Sequence, residues 1–87
     1  MQYRIPDDVL HRVVQTDTVI LNAATNAYVS LNGSAGRIWE LFGAGHTADE
    51  VQTMMVDEFD VEPGVVADDV AATLASLLQR GLLEPSV

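Results

Sequence analysis

The stretch Asn22–Phe42, NAATNAYVSLNGSAGRIWELF, changes its period halfway along. From Ala27 to Asn32, AYVSLN alternates in period two, as a half-buried strand does. From Asn32 onward Ala35, Ile38, Trp39 and Phe42 recur at spacings of three and four, the signature of an amphipathic helix. Asn32 or Ser34 can cap that helix, since either side-chain oxygen can accept a free first-turn amide. The preceding AATN reads as a turn in which Asn26 takes the left-handed position, which asparagine tolerates better than most residues. A hairpin of about 18–24 with 27–32 therefore runs straight into a helix.

Working outward, HRVVQT and TVILNA are short runs rich in β-branched residues. Thr16-Asp17 is a candidate turn joining a strand near 10–15 to the hairpin, so three strands form an antiparallel meander. Ile5-Pro6 ends a short N-terminal extension, because proline cannot donate to a sheet ladder. Towards the C terminus, Gly43-Ala44-Gly45 stops the first helix. Thr47-Ala48-Asp49-Glu50 is a capping box, in which hydroxyl and carboxylate satisfy each other's backbone donors. Val51, Met54, Met55 and Phe59 form the apolar stripe behind it, and Glu62-Pro63-Gly64 interrupts the pattern. A third helix shows Val66, Val70, Leu74, Leu77 and Leu78 on one face, with Gly81 just past its end and Leu82 placed to pack back. The order β-β-β-α-α-α implies an α+β fold, a three-stranded antiparallel sheet followed by three helices. The last two helices are spaced as in a winged helix-turn-helix.

At 87 residues the chain is expected to form one domain, 1–87. It has no cysteine, so disulfides and thiolate metal sites are excluded. No secretory h-region or membrane-length apolar run is visible, which points to a soluble, cytoplasmic protein with no membrane partner. Thirteen Asp and Glu oppose only Arg4, Arg12, Arg37 and Arg80, for a formal charge of −9. Such a surface cannot assemble the cationic patch that nucleic acid demands.

Reactive chemistry is scarce. His11 falls in a strand and His46 in a loop, neither with a ligand-spaced partner, so both read as structural or surface residues. Gly33-Ser34-Ala35-Gly36 lacks the spacing of a nucleophile elbow, and with no lysine in the chain these glycines make no phosphate loop. Asp68-Asp69 beside Glu62 lack the alternation of a calcium loop and suit the first turn of a helix, where the dipole favours acids. Neither an enzyme nor a cofactor is indicated. What remains is the third strand of the meander, Ala27-Tyr28-Val29-Ser30-Leu31. It carries no charge and no proline to blunt an open edge. Either the third helix covers that edge or a peptide strand adds to it. In the second case Val29→Pro, by removing a ladder donor, should weaken binding more than Ser30→Ala.

Val19-Ile20-Leu21-Asn22, Tyr28-Val29-Ser30-Leu31-Asn32, Ile38-Trp39-Glu40-Leu41, Thr47-Ala48-Asp49-Glu50-Val51, Asp69-Val70 and Leu77 with Arg80-Gly81-Leu82-Leu83, in that order, resemble the PqqD-like family. These are the recognition elements that bind the leader of a ribosomally made, post-translationally modified peptide (RiPP). The resemblance runs from about residue 10 to residue 83 and implies the same strand and helix order. It further implies that a leader adds antiparallel to the third strand, in a groove completed by the third helix. Carried onto this chain, the contacts are Ala27, Tyr28, Val29, Ser30 and Leu31 on the strand, and Asp69, Val70, Thr73, Leu74 and Leu77 on the helix. Arg80 is added as a partner for a leader carboxylate, on charge. Some of Val70, Leu74 and Leu77 must face the core. Within the family the chain looks most like the discrete leader-binding protein of lasso-peptide biosynthesis, whose partners are a leader protease and a macrolactam-forming cyclase. The alternatives are a peptide chaperone for pyrroloquinoline quinone biosynthesis and, from another class, a winged-helix DNA-binding regulator. A carrier protein is disfavoured because Asn32-Gly33-Ser34 offers no Asp-Ser attachment site.

Overall fold

The structure is a computed structural model that describes residues 1–86. Strand β1 (Gln2–Arg4) is followed by β2 (Val9–Val14), β3 (Asp17–Asn22) and β4 (Ala27–Leu31). Helices α1 (Gly33–Gly43), α2 (Ala48–Phe59) and α3 (Pro63–Gln79) come next, and β5 (Glu84–Ser86) closes the described chain. The meander β2-β3-β4 is antiparallel throughout, as the sequence predicts. Its first turn is Gln15-Thr16, one residue earlier than read, with Gln15 at φ 58°. The second turn spans 23–26 with Asn26 left-handed at φ 62°. Asn22 braces it by accepting the Ala24 amide at 3.0 Å on Oδ1.

A second sheet is not apparent in the sequence. β1 pairs antiparallel with β5, placing Arg4 opposite Glu84, whose side chains meet at 3.1 Å. Three-residue strands carry no period, and the partners lie some eighty residues apart, so no local pattern announces them. The pair docks on α1 through Tyr3, whose ring meets Phe42 edge-on at 5.4 Å.

The caps follow local chemistry. Asn32, not Ser34, caps α1, accepting the Ala35 amide at 2.9 Å. Thr47 and Glu50 form the capping box on α2. At the end of α3, Gly81 is left-handed (φ 73°) and the Leu82 amide donates to the Leu77 carbonyl, a Schellman close that folds Leu82 back into the core. Helix α3 begins earlier than the dipole argument for its acids requires. With Pro63 at its start, Asp68 and Asp69 fall in the second turn, and the first turn holds no acid.

The core lies between the inner face of the meander and the helices. Ile20, Trp39, Phe42, Val51, Val70, Leu77, Leu82 and Leu83 are all buried. Trp39 anchors it, donating its indole N–H to the Leu82 carbonyl at 3.0 Å and meeting the His11 ring edge-on at 4.9 Å. His11 is thus a packing residue of the inner sheet face. Helix α1 lies close against β3 at Gly36, where a Cβ would stand 2.6 Å from the Thr18 hydroxyl. Among the described residues no helix is long and apolar enough to cross a membrane.

Candidate functional site

Among the described residues β4 has one neighbour, β3, and its other edge is unpaired. The ladder parity decides which of its backbone groups are free. Ala23 donates to the Asp8 carbonyl at 2.8 Å, and Val14 and Asp17 close a two-residue turn. Both facts turn the odd-numbered β3 residues toward β2 and the even-numbered ones toward β4. Ala27, Val29 and Leu31 then bond to Asn22, Ile20 and Thr18, while Tyr28 and Ser30 turn their N–H and C=O outward. Side chains alternate in the other sense. Val29 and Leu31, opposite buried Ile20 and Thr18, face the helices, whereas Tyr28 lies on the bare outer face, 72% exposed, level with Leu21 and Leu10. Proline at Val29 would therefore break the native sheet, and the outward donors to test are Tyr28 and Ser30.

Helix α3 does not cover this edge but stands off from it. The gap is a groove of about 370 Å³ floored by Leu31, Ala35 and Leu77 and walled by Ser30 on one side and Thr73, Ser76 and Arg80 on the other. Beyond Asn32, Ala35 and Thr73 it continues into a compartment of about 480 Å³ between the three helices, lined by Ile38, Met55, Phe59, Val61, Val66 and Asp69. Antiparallel β4 and α3 frame the whole, since the order Ser30, Leu31, Asn32, Ala35 tracks α3 from Arg80 back toward Val66.

The helix residues named from the sequence separate by angle. Asp69, Thr73 and Arg80 line the groove. Val70 and Leu77 touch it from beneath but are each 1% exposed, so their main role is in the core. Leu74 lines neither compartment; the helical advance of about 100° per residue carries it to the flank away from β4, where it packs on the core. Ala72 and Ser76 on α3 and Asn32 and Ala35 at the start of α1 also line the groove, outside the set of contacts the sequence suggests. Their signal is smallness, which lets a strand approach a helix but has no period of its own. Phe59 belongs to the apolar stripe of α2, yet it ends the helix where Asp60 turns left-handed (φ 51°), and it stands 45% exposed at the mouth of the second compartment.

Residues 17–83 match the family model for Coenzyme PQQ synthesis protein D (PqqD). The chain belongs to the PqqD family. Solved structures extend the likeness of this PqqD-family chain over nearly its whole length. It is similar to TbiB1, solved in complex with the TbiA(beta) leader peptide, at 27% identity and a TM-score of 0.86, covering 97% of this chain and 98% of that one. It is also similar to a lasso peptide synthetase B1 complexed with the leader peptide, at 25% identity and a TM-score of 0.87, covering 98% and 100%. The PqqD truncation of Methylobacterium extorquens PqqCD, a stand-alone RiPP recognition element, shares the fold at 22% identity and a TM-score of 0.76, covering 95% and 88%. No curated protein matches the chain. The PqqD-family α+β arrangement is thus the one read from the sequence; helix-turn-helix proteins share its outline only.

Proposed function

We propose that this PqqD-family chain is a non-catalytic adaptor that binds the leader of a ribosomally made precursor peptide by strand addition to β4. The observation that carries the reading is the unpaired β4 edge, opening on a groove, in a fold shared with two leader-bound structures. Outward N–H and C=O groups at Tyr28 and Ser30 supply up to four backbone bonds to an antiparallel partner, and the groove receives alternate side chains. Holding the leader raises the effective concentration of the attached core peptide at a leader protease and a macrolactam-forming cyclase, as lasso-peptide biosynthesis requires. The TM-score of 0.87 to the leader-bound lasso peptide synthetase B1, against 0.76 for the PqqD domain, favours that pathway. The second reading, a peptide chaperone for pyrroloquinoline quinone biosynthesis, draws on the family model itself. A net charge of −9 weighs against DNA.

The test is titration of fluorescent leader peptides encoded beside the gene. Saturable binding in the micromolar range or tighter is expected, a reasonable yield for a few ladder bonds and two or three buried side chains. No saturable binding by any neighbouring leader would sink the proposal, and the precursor that binds distinguishes the two pathways.

A further inference from the structure

Of the four arginines, Arg4 is tied to Asp7 and Glu84, and Arg37 to Glu40 and Glu58. Arg12 and Arg80 make no ion pair among the described residues; Arg12 lies on β2, away from the groove, whereas Arg80 lies in the groove wall across from Ser30. Among the described residues it is the single cation lining the groove. The far compartment carries the opposite sign: Asp69 lines it, and no arginine or lysine occurs between residues 38 and 79. The groove is therefore polar end to end, positive beside the strand and negative beside an apolar chamber.

We propose, building on strand addition at β4, that this polarity selects the peptide. The occupant carries a carboxylate side chain opposite Arg80 and an apolar anchor in the Phe59–Val66 chamber, with no acid beside Asp69. The ladder parity fixes which side chains reach α3. Peptide residues opposite Tyr28 and Ser30 point to the outer sheet face, so the carboxylate belongs to a residue opposite Val29 or Leu31. The spacing follows from the helix. From Asp69 to Arg80, α3 rises roughly 16 Å, and the extended-peptide spacings nearest to it that keep both side chains facing the helix are about four and six residues. A peptide antiparallel to β4 enters at the chamber, so the anchor precedes the acid in its sequence.

Selection of displayed random dodecapeptides against the intact protein tests this. The expected consensus is an apolar residue followed about four or six positions later by Asp or Glu, the even spacings that keep both side chains on the helix-facing side. Repeating the selection on Arg80→Glu should replace the acid by Lys or Arg and keep the anchor. A wild-type-selected peptide should bind Arg80→Glu about tenfold more weakly, and changing its acid to Lys should restore much of that loss. Arg80 is exposed just beyond α3, and circular dichroism checks that the variant is folded. Peptides whose binding is abolished by Ser30→Pro, yet which show no acid preference or the same preference on Arg80→Glu, would overturn the polarity and leave strand addition standing. No selected peptides, or binding indifferent to Ser30→Pro, would overturn both.

Discussion

Ser30 and Val29 are adjacent on β4, yet proline should act differently at each. At Ser30 the lost N–H faces the open edge, where proline is tolerated without breaking a native bond. Ser30→Pro should therefore keep its circular dichroism and lose leader affinity by about tenfold or more, the effect of one missing ladder bond plus a ring in the path of the added strand. At Val29 proline removes a bond to Ile20, so loss of binding there comes with loss of fold. Equal affinity for wild type and folded Ser30→Pro would count against strand addition. Gly36 offers a residue-scale test of the core. An added methyl meets the Thr18 side chain at 2.6 Å and 3.1 Å, the second distance being to its Cβ, and Thr18 is buried in β3. Despite alanine's better helix propensity, Gly36→Ala should lower the unfolding free energy by about 1–3 kcal/mol, measured by urea titration. Glycine is needed here for close approach, not for a left-handed angle.

Between elements, the fork from Arg37 to Glu58 ties α1 to α2, with Nε and Nη2 donating to the two carboxylate oxygens at 2.8 Å and 3.0 Å. Those bonds from Arg37 hold the Glu58 carboxyl below the usual glutamate range and raise the Arg37 guanidinium further. A carboxylate whose folded value is depressed contributes stability that is present above its unfolded value, about pH 4.3, and is lost as pH falls through the lower folded one. Glu58→Gln should thus cost no more than about 1 kcal/mol at neutral pH, because the pair is partly solvated, and little once the pH is well below 4. Unfolding midpoints of both proteins against pH should converge on the acid side; a constant gap would show that Glu58 acts by packing alone. At this scale much was legible in the sequence. Asn26, Thr47 with Glu50, and Gly81 each sit where local backbone chemistry puts them, and the period change at Asn32 marks the strand-to-helix junction. What could not be read was the start of α3: proline at the first helical position looks like an interruption until the helix behind it is seen.

Across the whole molecule the site is harder to read than the fold, because its parts come from separate elements. Tyr28 looks like a ligand contact by its chemistry, but the meander sends its ring to the bare face and leaves only its backbone for a partner on the edge. Leu74 shares an apolar stripe with Val70 and Leu77, and the angle between β4 and α3, which no local pattern encodes, decides which flank is groove. The same separation divides stability from recognition. The β1-β5 ribbon reaches α1 through Tyr3 and Phe42, and none of its residues lines the β4-α3 groove. Tyr3→Ala removes the edge-on ring contact and uncovers part of Phe42, so the unfolding free energy should fall by about 1–3 kcal/mol. Leader affinity, measured well below the variant's melting temperature, should change by less than about twofold, since groove and edge keep their geometry. A tenfold loss of affinity in a fully folded Tyr3→Ala protein would instead show that the ribbon shapes the groove through α1, making recognition a property of both sheets rather than of the β4 edge alone.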